Sequence, residues 1–208
     1  MSTGDLRRRA PATLRNRDAI MAVLAAWLPP GGAVLEIAAG SGEHGIYFAP
    51  RLPGRVWLPS DRDPAALASI AAWREASPCE ALRPPIKLDV LESPWPVAGM
   101  ALDPPISAIV CINMLHIAPW AAAKALFAGA GRLLPGQGRL ILYGPFKTAY
   151  GHTAPSNAAF DQSLRAQNPE WGVRDLAEVI TAALAHGLVH RKTIAMPANN
   201  LSLVFERG

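Results

Sequence analysis

Apolar positions along this chain follow two rhythms. Short, mostly apolar runs occur at Val34, Leu35 and Ile37 around Glu36, Val56-Trp57-Leu58, Ile86-Lys87-Leu88, Ile106 to Met114 and Gly138 to Tyr143. Their length and continuity predict strands, and the Ile106 run is of the kind buried on both faces. Between the runs the spacing becomes helical. Ile20, Val23, Leu24, Trp27 and Leu28 fall on one face of a helix over 13–28, and further helices are predicted over 44–52, 65–76, 119–134 and 175–186. Pro29-Pro30-Gly31-Gly32, Pro135-Gly136 and Gly187 supply the stops. Leu188 to Met196 and Leu201 to Phe205 flank Pro197-Ala198-Asn199-Asn200, which predicts a closing antiparallel hairpin. From Lys147 to Glu170 no strand is predicted, only a short helix through S-N-A-A-F-D-Q-S-L-R with Ser156 as its cap. Strands alternating with helices imply an α/β, doubly wound, mainly parallel sheet with helices on both faces.

Composition adds limits. With 208 residues, half of them hydrophobic and 17% charged, the chain reads as a globular domain over 13–208 with a substantial core. The net charge of +4 owes much to Arg7, Arg8, Arg9, Arg15 and Arg17, and residues 1–12 read as a flexible basic arm. A solvated tail accounts for that run, so neither nucleic acid nor a membrane is expected as a partner. Cys79 and Cys111 make no disulfide framework, and a reducing cytoplasm is the expected compartment. The longest apolar stretch, Ala19 to Leu28, is too short to span a bilayer, and no secretory signal is expected.

In sheets of this kind ligands bind beyond the carboxyl ends of the strands. Glu36 with Gly40, then Asp61, Asp89, Asn113 with His116, and Tyr143 with Phe146 all fall there. The first group lies in A-V-L-E-I-A-A-G-S-G-E-H-G, a strand, a glycine turn and a helix start. Glycine serves where the chain turns sharply or where backbone must touch a ligand. The spacing satisfies both G-x-G-x-x-G, a dinucleotide fingerprint, and E-x-x-x-G-x-G, and a turn without a ligand is the plain alternative. Asp61 follows Gly42 by 19 residues, close to the roughly 20 expected of an acid that binds a ribose. Asp63, beside Pro64, suits a helix cap. Tyr143 and Lys147 spell the Y-x-x-x-K of short-chain dehydrogenases, but Gly144-Pro145 between them argues against a shared helix face. The five histidines have no paired ligand spacing, and no metal site is expected.

Taken together, R-N-R-D-A-I, L-E-I-A-A-G-S-G-E-H, P-S-D-R-D, N-M-L-H-I-A-P-W, L-Y-G-P-F, S-N-A-A-F-D, P-E-W-G-V-R-D and M-P-A-N-N-L resemble one family. It is the class I S-adenosylmethionine (SAM) dependent methyltransferase-like family that includes methyltransferase-like protein 26. The resemblance runs from Asn16 to Phe205 and implies a seven-stranded Rossmann-like fold that binds SAM, with S-adenosylhomocysteine (SAH) as product. By position, Glu36 would orient the methionine ammonium, and the backbone of Ala38, Gly40 and Gly42 would pack on methionine and ribose. Asp61 would hold the ribose hydroxyls, Asp89 would accept from the adenine amine, and Asn113 would face the sulfonium. SAM is a cation without phosphate, which suits a pocket bearing three acids. His116 stands where a general base could act and is equally well read as structural. The long segment after the fifth strand carries Phe146, Tyr150, Asn157, Phe160, Trp171 and Arg174. With Asn113, His116 and Trp120 it is expected to bind a small-molecule acceptor. A SAM-binding protein that acts through a partner without turnover, and an NAD(P)-dependent oxidoreductase, are the alternatives.

Overall fold

The computed structural model describes residues 5–208. Two compact units divide the chain, the first ending at Val110 and the second beginning at Cys111. Seven strands form one sheet, in the order β3 (Ile86–Lys87), β2 (Arg55–Asp61), β1 (Gly32–Ile37), β4 (Ile106–Ile112), β5 (Arg139–Gly144), β10 (Asn200–Arg207) and β9 (Leu188–Met196).

The first unit opens with α1 (Pro11–Trp27), whose buried positions Thr13, Asn16, Ile20, Val23 and Leu24 recur at helical spacing. It continues through β1 (Gly32–Ile37), α2 (Glu43–Phe48), β2 (Arg55–Asp61), α3 (Pro64–Ala76), β3 (Ile86–Lys87) and β4 (Ile106–Ile112), which carries the chain across the unit boundary. The strands β1 and β2 run parallel, with Leu35 opposite Leu58 and Glu36 opposite Pro59. Pro64 starts α3 and Asp63 caps it, accepting from the Ala65 amide at 2.9 Å. Between β3 and β4 there is no α-helix, only a 3₁₀ turn at Pro96–Gly99. Fully buried Trp57 packs on Phe48 with ring centres 5.4 Å apart.

The arm is shorter and more tightly held than its composition suggests. The helix α1 starts at Pro11, where proline's missing N–H costs nothing. Ahead of it, the Arg8 amide donates to Ser69 Oγ at 2.8 Å and Trp73 Nε1 donates to the Arg8 carbonyl at 3.0 Å. The Ala10 amide donates to Glu43 at 2.5 Å. The segment read as an arm over 1–12 thus runs into α1 at Pro11 and makes these contacts at Arg8 and Ala10; residues 1–4 lie outside the described residues.

The second unit holds α4 (Trp120–Leu133), β5 (Arg139–Gly144), β6 (Phe146–Thr148), β7 (Gly151–His152), α5 (Pro155–Gln167), β8 (Arg174–Asp175), α6 (Leu176–Leu184), β9 (Leu188–Met196) and β10 (Asn200–Arg207). The closing hairpin is antiparallel as expected, and β10 also pairs antiparallel with β5, Leu203 opposite Leu142. Two expectations fail here. The segment after β5 does contain strands: β6 pairs antiparallel with β7 and parallel with β8, making a separate three-stranded sheet. Ser156 is not a cap, because α5 starts one residue earlier with Pro155 behind Ala154. No helix among the described residues is long and apolar enough to cross a membrane.

Candidate functional site

The first unit presents its polar groups at the carboxyl ends of β1 and β2. Glu36, near the end of β1, is 1% exposed, and its Oε2 accepts from Trp57 Nε1 at 2.7 Å. Burial pushes its carboxyl up to about 8; the indole hydrogen bond opposes that and the Asp61 charge adds to it. An uncompensated buried carboxylate is costly, so the proton stays on.

Beyond Ile37 the backbone turns through left-handed conformations at Ala38 (φ 56), Gly40 (φ 59) and Gly42 (φ 87). The two glycines serve different ends. A Cβ on Gly42 would lie 2.9 Å from Ile70 Cγ1, whereas one on Gly40 would meet nothing within 4 Å. Gly42 is thus needed for the close approach of α3, while Gly40 borders open space. Asp61, at the end of β2 and buried, fastens the turn from the neighbouring strand. Its Oδ2 accepts from the Gly40 amide at 2.9 Å and its Oδ1 from the Asp63 amide at 2.9 Å. A carboxylate has about four acceptor sites, so both oxygens keep capacity for a ligand hydroxyl. Asp89, just past β3, accepts from the Leu91 amide at 3.0 Å, and Arg62 lies 3.5 Å from its Oδ2.

One pair in this unit escaped the sequence reading. Asn16 is buried, and its Oδ1 sits 2.9 Å from His44 Nε2. The ring of His44 stacks on Phe48 at 5.4 Å, and burial, reinforced by Arg17, lowers its pKa to about 4. The two residues tie α1 to α2. No local pattern marks them, because they stand 28 positions apart.

In the second unit Asn113 adopts φ 62 just past β4, a left-handed conformation that asparagine tolerates better than most residues. Its amide donates to the Tyr143 carbonyl at 2.9 Å. A Cβ on Gly144 would stand 3.3 Å from His116 Nδ1 and 3.6 Å from Asn113 Oδ1, so these three residues come together. His116 is buried, edge-on to Phe160 at 5.5 Å, and its carbonyl accepts from the Gly172 amide at 3.0 Å. Burial first, then the Arg174 charge, lower its pKa to about 4, so the ring is neutral near pH 7.

The other predicted residues divide. Arg174 spends its guanidinium on the carbonyls of Leu115 (3.0 Å), Ala118 (2.5 Å) and Glu170 (2.8 Å) and lies over Trp120 at 5.7 Å. It positions the loop that carries His116. Asn157 is likewise engaged, donating to Thr153 Oγ1 at 2.9 Å and to the Asn199 carbonyl at 3.0 Å. Phe146 is buried, Trp171 is half-buried, and the Tyr150 ring is fully exposed and packs on none of the others. Asp161, which the spacing did not single out, organises this segment. It is buried and accepts from the Val173 amide at 2.7 Å and Arg165 Nε at 3.2 Å, with His152 Nε2 at 3.3 Å. Tyr143 and Lys147 lie on β5 and β6, not on a helix, which removes the dehydrogenase pattern.

Solved structures of similar fold include methyltransferases. An O-methyltransferase family protein from Burkholderia thailandensis superposes with a TM-score of 0.77 at 15% identity, covering 95% of this chain and 57% of that one. An O-methyltransferase family 2 protein from Planctomyces limnophilus, solved with apigenin, gives 0.73 at 21% identity, covering 92% and 61%. CalO1, a calicheamicin-biosynthesis methyltransferase solved with SAH, gives 0.70 at 18%, covering 91% and 54%. The chain thus spans less than two thirds of each of these proteins, and at such identities the likeness is one of fold. A family model covers nearly the whole chain, residues 7–207, and by that match the chain belongs to the family described as "Protein of unknown function (DUF938)".

Proposed function

We propose that this protein is a SAM-dependent methyltransferase acting on a small-molecule acceptor. The observation that carries the reading is the turn at Gly40. Its amide is held by Asp61 while its open side leaves room for a ligand to approach the backbone. The acidic set suits SAM better than it suits a pyrophosphate: Glu36, Asp61 and Asp89 stand at the strand ends, and the glycine turn carries no lysine. The likeness of fold to methyltransferases, one of them solved with SAH, supports it. So does the resemblance to the family of methyltransferase-like protein 26.

In this reading Asp61 accepts from the ribose hydroxyls with the lone pairs its backbone bonds leave free. Asp89 accepts from the adenine amine, and the turn from Ala38 to Gly42 packs on the methionine and ribose. Glu36 answers the methionine ammonium through water; a neighbouring cation favours its ionised form and offsets the cost of burial. SAM, when bound, supplies an electrophilic methyl group on a sulfonium. Asn113 and His116 are assigned to the acceptor. A neutral imidazole with a pKa of about 4 orients an acceptor hydroxyl more readily than it holds that hydroxyl's proton. Its main contribution is therefore positioning, which alone can supply much of the rate of a displacement.

The test has two stages. A thermal-shift panel with SAM, SAH, NAD and NADP should stabilise the protein with the first two only. Labelled SAM with metabolite extracts should then yield a labelled product that His116→Ala or Trp171→Ala abolishes while SAH affinity persists. A shift with NAD alone would overturn the reading. Tight SAH binding with no product from any extract would favour a SAM-binding protein that works through a partner.

A further inference from the structure

A second feature of the first unit lies outside the cofactor residues. Between the arm, α1, α2 and α3 is a cavity of ≈ 170 Å³ lined by Arg9, Arg17 and Arg51 with Tyr47, Trp73 and Glu43. It is smaller than the roughly 300 Å³ at which pockets begin to enclose whole ligands, so it suits one charged group of a molecule.

Its walls are organised by stacking. The guanidinium carbons of Arg17 and Arg51 lie 4.5 and 4.1 Å from the Tyr47 ring centre, and that of Arg9 lies 5.0 Å from the Trp73 ring. Cation–π contact engages the face of a guanidinium and leaves N–H groups at its edge for other partners; Arg51 spends its Nη1 on the Tyr47 carbonyl at 3.0 Å and keeps its other N–H groups. The arm that carries Arg9 is itself fixed by the Trp73 indole. Charge balance points the same way. Arg9 and Arg51 pair with no carboxylate among the described residues, and Arg17 comes no nearer than 4.0 Å to Asp18. The Nε of Arg17 is buried without a hydrogen-bond partner. The acids at hand are occupied: Glu43 accepts from the Ala10 amide and from Ser41 Oγ, and Asp18 accepts from the Tyr47 hydroxyl. Three cations thus converge with one committed carboxylate in the wall. A buried donor left unpaired is costly, and guanidinium forks match phosphate oxygens two at a time.

We propose that this cavity binds the phosphate or diphosphate group of an anionic ligand. It is a site separate from the residues assigned to SAM, which carries no phosphate, so the proposal stands whether or not methyl transfer does.

The test titrates pyrophosphate into the full chain at fixed ionic strength, by calorimetry and by the arginine Nε–Hε signals. One saturable site is expected, with the Arg17 signal moving. Arg17→Gln with Arg51→Gln should weaken binding at least tenfold, whereas Arg83→Gln, which removes an exposed arginine elsewhere, should leave it unchanged. Should the double variant unfold, Arg51→Lys keeps the charge and loses the fork, and weaker binding there would carry the same meaning. A single-stranded oligonucleotide with and without a 5′-phosphate identifies the source. Preference for the phosphorylated form supports a terminal phosphate on a larger molecule. Equal binding of both forms, with steep salt dependence and no saturable pyrophosphate site, would overturn the proposal. Equal weakening by Arg83→Gln would overturn it as well.

Discussion

Glu36→Gln is the sharpest perturbation of the first unit. Glu36 is almost completely buried, and its Oε2 accepts from Trp57 Nε1. A glutamine keeps the shape and, through its carbonyl oxygen, the indole hydrogen bond; it removes only the ionisation. In the folded protein the carboxyl titrates near 8 against an ordinary 4.5. A folded value above the unfolded one means the native state holds a proton that the unfolded chain has released. The contribution to stability is fully present below about pH 4.5, declines as pH rises, and is lost above about pH 8. Each pKa unit is worth about 1.4 kcal/mol, so a rise from 4.5 to about 8 means the wild type should lose up to about 5 kcal/mol across this window that the glutamine variant keeps. Urea unfolding of both proteins at pH 5, 7 and 9 measures it, because titrations elsewhere cancel in the difference. The variant should gain on the wild type as pH rises, with most of the gain between pH 5 and 8. A difference that stays flat from pH 5 to 9 would refute a protonated Glu36.

Further outcomes follow from the same geometry. If the SAH ammonium is answered by Glu36, SAH binding at pH 7 should release a proton, seen as a calorimetric enthalpy that depends on the buffer's ionisation heat. Asp61→Ala should weaken SAH about tenfold or more, since charge-assisted hydrogen bonds are worth roughly 1.5–3 kcal/mol; loss in Asp63→Ala alone would name the other acid. Gly42→Ala must fit both φ 87 and a Cβ 2.9 Å from Ile70 and should cost over ~1 kcal/mol in denaturant unfolding. Gly40→Ala meets no atom, so it should cost less in stability and more in SAH affinity. Arg174→Ala strands three carbonyls and should cost roughly 1–3 kcal/mol, with only partial rescue by lysine in thermal melts.

Much of the architecture is local and so was legible in the amino-acid order. Val34 to Ile37 must be a buried strand and Gly40 and Gly42 must turn, because neighbouring residues alone impose those conformations. Asp63 before Pro64 is a helix start for the same reason. The alternation of such segments sets the fold class, and Asp61 falls at a strand end once β2 is placed. Other features depend on partners far along the chain. Strands of two or three residues carry no alternation to read; β6 and β8 exist because Phe146 meets Arg174 across the fold. Asn16 finds His44, and Asp161 finds Val173, only after helices and loops have packed. The basic arm reads as solvated until Trp73, 65 positions after Arg8, supplies the indole that holds it. Sequence order specifies what each short segment must do with its own backbone. Only the tertiary structure decides which polar groups a segment must satisfy in another, because burial creates that demand and distance in the chain hides it.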